Sequence, residues 1–342
     1  MSRISSTVAF DSPGKQTGFL RLPRSSHDSA YGWMPIPIVC IVGGTGPTVL
    51  LVGGNHGDEY EGQVALAELC RTLDPSSLRG RVIIVPSTAN FPAAMAGRRI
   101  SPIDGGNLNR SFPGSEGGSP TEMIAHFIET KLLPVSDCAI DVHSGGSSLQ
   151  YCPTIRARSN SDAQITERTL TLLHAFGASY GCIYKPFAGE SRTMAAAAAR
   201  CDVPYLCIEI GGGGCIQPEL LSLTTSGLMR ILVASGVLDG KSDPNDETSI
   251  LTVDGFDNYV YAPENGLFEP LAELGESVTT GQPAARIHFP DTPWREPAVA
   301  AFQAAGKVLC RRFPSLTKRG DCLYEIGAVA RQLVRNPQRS HH

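Results

Sequence analysis

"LLVGGNHGDEYEG", residues 50–62, is an apolar run that ends at two glycines and is followed by a histidine and two carboxylates. The run and its lead-in, Thr48–Gly54, are apolar on both faces, which is typical of a fully buried strand. The next segment, Glu61–Leu73, has the apolar spacing of a helix. A buried strand that leads directly into a helix predicts an α/β fold.

The same alternation of short apolar runs and helical patterns continues to about residue 238. It predicts an α/β domain with a mostly parallel (mixed) sheet flanked by helices. The segments "GFLRLP" and "IPIVCIV" within residues 1–45 are expected to pair along one edge of this sheet. The other predicted elements are strands at Arg81–Pro86, Cys138–His143 and Pro204–Ile210, a helix capped by Ser119, and a helix at Pro218–Ala234.

The pattern changes after the polar, turn-rich segment Leu238–Ser249, which reads as a linker. Two domains are therefore predicted, an α/β domain at 1–240 and a smaller β-rich domain at 248–342. The stretch "APENGLFEPLAELGESVTTGQ" resembles the hammerhead fold of biotinyl and lipoyl domains. Those carriers present a modified lysine where this chain has "HFPDTP", so the segment is interpreted as scaffold.

Composition excludes several classes of protein. The net charge of −4 gives no basic footprint for nucleic acid, and no apolar stretch approaches the roughly 20 residues that span a bilayer. The first residues lack the apolar core of a secretory signal. Ten scattered cysteines without a CxxC motif indicate reduced thiols, so we expect a cytoplasmic protein.

Polar residues collect where three predicted strands end. His56 and Glu59 follow the first strand, Asp141 and His143 close the "CAIDVH" strand, and Glu209 closes "YLCIEI". Parallel strands place such residues at one edge of the sheet. Two histidines and one carboxylate, with a fourth position left open, are the ligand set of a catalytic zinc ion.

Each of these signals has an ordinary alternative. A lone His-x-x-Glu is more often the start of a surface helix, and a lone Asp-Val-His is more often hydrogen-bonded than metal-bound. Asp58 and Glu61 are interpreted as solvated charges or as groups behind the ligands. The combination of three strand ends is what favours a metal site.

The loop Gly97–Gly114, "GRRISPIDGGNLNRSFPG", carries arginines and amides without apolar periodicity. The planar fork of arginine suits a carboxylate, so the loop is a candidate substrate-binding segment. The alternative is an ordinary polar loop capped by asparagine.

Four motifs, "GGNHGDEYEG", "RR…DGGNLNRSFPG", "AIDVHSGG" and "CIEIGGGG", occur here in the order and spacing of the succinylglutamate desuccinylase/aspartoacylase family. The chain resembles this family over about Thr48 to Leu238. The resemblance implies a zinc carboxypeptidase-like fold and one Zn²⁺ held by His56, Glu59 and His143. It also implies that Glu209 is the general base that activates the attacking water.

The resemblance further implies how the substrate is held. Arg99 would polarise the scissile carbonyl, with Arg98 as the less favoured alternative. Asn109 and Arg110 would bind the carboxylate of an N-acyl amino acid.

Within the family, the N-terminal segment, the "SPIDGGNLNRSFPG" loop and "APENGLFEPLAELGE" are most similar to the Nα-acetyl-L-2,4-diaminobutyrate deacetylases of ectoine and hydroxyectoine degradation. A pocket for the 4-ammonium group of that substrate needs a carboxylate or carbonyls. The candidates are Glu190, the carbonyls of Gly211–Gly214 and, as a weaker choice, Asp58. Arg192 lies in the same loop as Glu190 and suits an anionic side chain instead. A homodimer is the assembly considered.

Three alternative functions stay open from the sequence. The first is deacylation of another N-acyl amino acid, of the N-acetylaspartate or N-succinylglutamate type. The second is a metallocarboxypeptidase, which the C-terminal β region argues against if it covers the cleft. The third is a zinc-binding module without activity, for which a general base such as Glu209 has no use.

Overall fold

In the computed structural model, residues 3–87, 91–186, 190–240 and 248–329 are described. Six α-helices, α1 to α6, lie at Tyr60–Thr72, Phe91–Ala96, Pro120–Phe127, Ala163–Phe176, Met194–Arg200 and Pro218–Ala234. Eighteen strands, β1 to β18, lie at Ser5–Ser6, Gly14–Ser26, Ser29–Val42, Thr48–Gly53, Arg81–Val85, Cys138–His143, Leu149–Arg158, Tyr180–Tyr184, Tyr205–Gly212, Ser249–Val253, Tyr259–Tyr261, Gly266–Pro270, Ser277–Val278, Pro283–His288, Ala298–Ala301, Gly306–Arg312, Leu316–Thr317 and Cys322–Val329. These counts refer to the described ranges.

The predicted elements are confirmed to within a residue or two. Strand β4 and helix α1 stand where the opening sequence placed them, and α6 has the predicted bounds. Helix α3 begins with the predicted capping box, in which the Ser119 hydroxyl accepts from the Glu122 backbone N–H and the Glu122 carboxylate accepts from that of Ser119. The predicted N-terminal pair is the antiparallel hairpin β2–β3, which joins the sheet through β5.

The main sheet is mixed. Its centre, in the order β5-β4-β6-β9, is parallel, so the carboxyl ends of these four strands lie at one edge. Strand β7 then pairs antiparallel with β9, and the hairpin β2–β3 is antiparallel as well. Strand β8 is parallel to both β7 and β10, but most other pairs of this sheet are antiparallel. The expectation of a mostly parallel sheet is therefore correct for the centre and wrong for the sheet as a whole.

Every residue of β4 and β6 is buried because the sheet is covered on both faces. Leu50 and Val52 of β4 point into a core formed with α3 and α5, whereas Val49 and Leu51 point into a core formed with α1, α4 and α6. This arrangement explains why the strand is continuously apolar. Gly62 lets α1 approach β6 closely, since a Cβ atom there would lie 2.6 Å from Val142 Cγ1.

The C-terminal segment does not stand apart from the main sheet. Strand β10 pairs parallel with β8, and β18 and β16 continue the sheet until β16 also contacts β7. A separate four-stranded sheet, in the order β15-β14-β12-β17, completes this region. The division at 240 and 248 stays a prediction, and residues 330–342 lie outside the described part.

All ten cysteine side chains are unpaired thiols. Within the described ranges, no helix is long and apolar enough to cross a bilayer.

Candidate active site

His56, Glu59 and His143 meet at the carboxyl edge of the central strands. His56 follows β4, Glu59 precedes the first residue of α1, and His143 ends β6; each is 2 % exposed. Glu59 Oε1 lies 2.8 Å from His56 Nδ1, and Glu59 Oε2 lies 2.7 Å from His143 Nδ1. Their ligand atoms all lie within 4.8 Å of one another, so the three residues can hold a metal ion.

The hydrogen bonds of His143 fit a cation at this point. Its Nδ1 faces Glu59, and its Nε2 lies 2.9 Å from Asp141 Oδ2. A neutral imidazole carries one N–H and cannot donate to both carboxylates. Without a metal, burial opposes charge, yet the charges of Asp141 and Glu59 raise the pKa of His143 well above its usual value. A metal ion held by His143 would remove this conflict, because the ring would then need only one N–H, which could donate to Asp141.

The carboxylate of Glu59 is held in its ionised form. Burial favours the neutral acid, but the charges of His56 and His143 outweigh it and lower the pKa of Glu59 well below its usual value. The backbone N–H of Ser144 also donates to Oε2 at 3.2 Å. An ionised carboxylate between two imidazoles is the state that a metal ligand requires.

A second set of polar groups fixes the orientation of the two imidazoles. Asp141 is fully buried and accepts from Asn55 Nδ2 at 3.0 Å, from His143 Nε2 and from the Tyr205 hydroxyl at 3.0 Å. His56 Nε2 lies 3.2 Å from Asn107 Oδ1. Asn107 and Tyr205 were not predicted, although Asn107 is the first asparagine of the "NLNR" motif.

The candidate metal-binding cluster His56–Glu59–His143 opens into a cavity of about 440 Å³. It is lined by His56, Glu59, Arg99, Asn109, Arg110, His143, Ser144, Leu149, Tyr151, Arg156, Tyr184, Glu190, Thr193, Ala195, Tyr205, Cys207, Glu209, Tyr259 and Glu325. The volume suits a small molecule rather than a folded polypeptide.

Glu209 lies beside the cluster because β9 runs parallel to β6 and pairs Glu209 with His143. Burial raises the pKa of Glu209 to about 7, and the charge of His143 opposes the rise. Cys207 Sγ, at 3.9 Å, contacts Glu209 Oε1. A carboxylate with a pKa near neutrality is well suited to accept and return a proton.

The structure distinguishes between the two neighbouring arginines. Arg99 lines the cavity and donates from Nη1 to Glu59 Oε1 at 3.1 Å, with its side chain 42 % exposed. Arg98 is exposed and is not among the described residues that line the cavity. Gly57 brings this loop close, since a Cβ atom there would lie 2.1 Å from the Ala93 backbone.

Asn109 and Arg110 both line the cavity, on the side of the "NLNR" turn. Asn109 Oδ1 accepts from the Met194 backbone N–H at 2.9 Å, which fixes the amide against the start of α5 with its NH₂ group as the remaining donor. Arg110 is exposed, and its Nη1 donates to the Asn109 carbonyl at 2.7 Å. An amide and a guanidinium therefore stand side by side at the cavity.

Asp58 and Glu61 are buried, so the interpretation as solvated charges is wrong. The other interpretation, groups behind the ligands, stays a prediction, because their hydrogen bonds go to Ser147 and Gly212. Asp58 Oδ2 accepts from the backbone N–H and the hydroxyl of Ser147 at 2.9 and 2.7 Å. Glu61 Oε1 accepts from the Gly212 N–H at 3.0 Å. The two carboxylates tie the turn after β6 and the last residue of β9 to the start of α1.

Of the groups predicted to receive an ammonium, Glu190 lines the cavity. Asp58 is occupied by Ser147, and the Gly211 carbonyl accepts from the Gly145 N–H at 3.2 Å. Arg192, the predicted competitor, is exposed and lies outside the described cavity lining.

Three further residues that the sequence analysis missed line the cavity from β7, β11 and β18: Arg156, Tyr259 and Glu325. Arg156 Nη1 donates to both carboxylate oxygens of Glu325, at 2.7 and 2.8 Å. The available signal was a charged residue within an apolar strand, in "TIRAR" and in "LYEIGAV", since such charges are buried only when paired.

Residues 45–235 match the model of the succinylglutamate desuccinylase/aspartoacylase catalytic domain. The chain is similar to the N-alpha-acetyl-L-2,4-diaminobutyric acid deacetylase of Halomonas elongata, with 41% identity over 97% of this chain and 97% of the relative.

Solved structures are similar over nearly the whole chain. The ectoine utilization protein EutE (DoeB) of Ruegeria pomeroyi, determined with product bound, has a TM-score of 0.91 at 40% identity and covers 96% of this chain and 99% of its own. A succinylglutamate desuccinylase of Silicibacter sp. TM1040 has a TM-score of 0.91 at 38% identity, with the same coverage.

Proposed function

Because this chain belongs to the succinylglutamate desuccinylase/aspartoacylase family, we propose that it removes the acetyl group from Nα-acetyl-L-2,4-diaminobutyrate in ectoine degradation. The products are acetate and L-2,4-diaminobutyrate. The observation that carries the proposal is the convergence of a metal-ligand set, a carboxylate with a pKa near 7 and two arginines on one small cavity. The likeness to a deacetylase along 97% of both chains supports the choice of substrate.

The metal that we propose is a single Zn²⁺, held by His56, Glu59 and His143. Two imidazoles and one carboxylate with an open position are the donor set that zinc prefers in hydrolases. When bound, zinc supplies Lewis-acid polarisation of the acyl carbonyl and a water nucleophile at neutral pH. The contacts of Asp141 and Asn107 to the outer nitrogens of the imidazoles support this assignment.

Glu209 transfers the proton, and Arg99 stabilises the charge that develops on the substrate. Glu209, as a carboxylate, takes a proton from the attacking water and then returns it to the departing α-amine. The guanidinium of Arg99 stabilises the negative charge that develops on the carbonyl oxygen; loss of one such donor typically costs about 10²–10³ in rate.

Asn109 and Arg110 bind the α-carboxylate of the substrate. The amide donor and the guanidinium stand next to each other, so they can hold two oxygens of one carboxylate. Glu190 is the candidate partner for the 4-ammonium group, because it is the predicted carboxylate that reaches the cavity.

The remaining proposals concern the whole chain. We infer a zinc carboxypeptidase-like fold from the parallel centre β5-β4-β6-β9 with ligands at its carboxyl edge. We propose a cytoplasmic location, on the grounds of ten unpaired thiols. The homodimer and the scaffold role of the C-terminal domain stay predictions.

A substrate panel tests the function. Zinc-loaded protein is expected to hydrolyse Nα-acetyl-L-2,4-diaminobutyrate with a kcat/KM at least about tenfold higher than that for N-acetylaspartate or N-succinylglutamate, because a misplaced charge in a partly desolvated pocket is costly. Acetate or succinate release measures the rates, and EDTA-treated protein is the control. Equal rates on the three substrates would leave only the family-level activity, and cleavage of C-terminal residues from peptides would point to a carboxypeptidase.

Replacing Arg110 tests carboxylate recognition. Arg110→Ala is expected to lower kcat/KM for the free acid by about 10- to 100-fold, the usual value of a charge-assisted hydrogen bond, and to affect the α-carboxamide analogue little. Arg110→Lys should recover only part of the loss, since an ammonium cannot replace the fork of a guanidinium. Arg98→Ala, an exposed arginine outside the described cavity lining, is the matched control. Equal losses on the acid and the carboxamide would refute the assignment.

A further inference from the structure

An ion pair between a partly buried arginine and a buried glutamate forms part of the wall of the cavity, in addition to the groups assigned above. Arg156 of β7 donates from Nη1 to both oxygens of Glu325 of β18, at 2.7 and 2.8 Å. The Arg156 side chain is 15 % exposed and that of Glu325 is 2 % exposed. Both residues line the cavity, although 169 positions separate them in sequence.

The pair is held in place by aromatic side chains. The hydroxyls of Tyr259 and Tyr151 donate to Glu325 Oε1 and Oε2 at 3.2 and 3.4 Å. The Arg156 guanidinium lies 5.4 Å from the centroid of the Tyr184 ring, within the range of a cation–π contact. Glu325 thus accepts from three side chains, and its carboxylate is fixed on the guanidinium.

Arg156 differs from the other arginines of the cavity. Arg99 and Arg110 are exposed, whereas the Arg156 side chain is only 15 % exposed and has a carboxylate directly on it. A buried guanidinium without a partner would be a strong site for a second carboxylate, because charges interact more strongly away from water. Glu325 occupies that position and cancels the charge.

We propose that Glu325 is a specificity-determining residue that neutralises Arg156 and so prevents the cavity from accepting substrates with a second carboxylate, on either the acyl chain or the side chain. This inference rests on the proposed deacetylase function. It explains how a cavity with a third arginine can discriminate against N-succinyl and N-acetylaspartyl compounds. The guanidinium that could bind their second carboxylate is present, but Glu325 already occupies it. The alternative is a purely structural role, in which the pair only joins β18 to β7.

Two single variants separate these roles, because they leave opposite charges in the cavity. Glu325→Gln leaves a cation, and Arg156→Met leaves a carboxylate. The measurement is kcat/KM of zinc-loaded protein for N-acetylaspartate against N-acetylasparagine, and for N-succinylalanine against its terminal amide. The first pair reports a carboxylate on the side chain and the second reports one on the acyl chain.

We expect Glu325→Gln to raise the acid-to-amide ratio about tenfold or more in at least one pair, and Arg156→Met to lower it. A ratio within one protein sample is insensitive to the fraction that is folded. The matched control is Glu129→Gln, which unpairs Arg200 from a similar two-bond contact at 2.8 and 2.8 Å away from the described cavity lining, and it should leave both ratios unchanged.

Binding of succinate and butyrate, measured by calorimetry, gives a readout without turnover. The affinity ratio of succinate to butyrate should rise in Glu325→Gln and fall in Arg156→Met. Unchanged ratios, or shifts of the same sign in both variants, would overturn the proposal in favour of the structural role. If Glu325→Gln does not fold, an unchanged ratio in Arg156→Met decides against the proposal. Wild-type protein that does not hydrolyse Nα-acetyl-L-2,4-diaminobutyrate refutes the deacetylase function instead, while the binding ratios still decide this inference.

Discussion

Replacing Glu209 with glutamine is expected to lower kcat on the acetylated substrate by about 10²–10⁴-fold, the usual contribution of a general acid–base group. The amide keeps the size of the side chain but cannot accept a proton from water or return one to the amine. Glu209 pairs with His143 across β6 and β9 but belongs to no described metal cluster, so the variant should bind metal as the wild type does. Steady-state kinetics and metal analysis of the same sample measure both properties.

A matched control for this variant is Glu219→Gln, an exposed carboxylate in the first turn of α6, which should retain full activity. Near-normal kcat in metal-loaded Glu209→Gln would remove Glu209 from the mechanism. Loss of metal together with activity would instead make Glu209 a ligand.

The pH dependence of kcat/KM should report the ionisation of Glu209. Burial raises the pKa of Glu209 to about 7 against the opposing charge of His143, and this pKa falls when a divalent cation is bound nearby. Glu209 acts as a base only when ionised, so kcat/KM should rise with pH below that pKa and level off above it. The midpoint of the rise is expected at or below about 7, and the residual rate of Glu209→Gln should lack it.

The central strands of the fold could be predicted because their burial is encoded in residues that are contiguous in sequence. Strands β4 and β6 are covered on both faces, and this burial is written in the sequence as unbroken apolar runs. The antiparallel surroundings could not be predicted in the same way. Strand β16 contacts β7 through partners such as Cys310 and Tyr151, which are distant in sequence, and no local pattern specifies that register.

The site residues also differ in whether a local sequence pattern or a contact between distant segments reveals them. Residues at strand ends and in glycine-rich loops, such as His56 and Arg99, stand in motifs whose polarity has no role in a core. Arg156 and Glu325 sit inside apolar strands, where each alone reads as an edge or surface position. Their function depends on a contact between distant segments, so only the folded structure displays it. The interpretation of Glu61 as a solvated charge is wrong because glutamates are mostly exposed, whereas here its Oε1 accepts from the buried Gly212 N–H.

Replacing His143 with alanine is expected to abolish stoichiometric metal binding and to lower kcat by about 10³-fold or more, since Lewis-acid stabilisation worth several kcal/mol is lost. The reason is geometric: His143 supplies one of three ligand atoms, and its other nitrogen is anchored by Asp141 at 2.9 Å. Metal content by mass spectrometry and the rise in Tm on adding Zn²⁺ report the loss without reference to activity.

Asp141→Asn should give an intermediate result, with metal affinity weakened about 10- to 100-fold, because it disturbs the orientation of the ring but leaves the ligand. His288→Ala, at the half-exposed pair with Glu269 in the C-terminal sheet, is the control and should match the wild type. Wild-type metal stoichiometry in His143→Ala would show that this cluster does not hold the metal, and the assignment of His56 and Glu59 would fall with it.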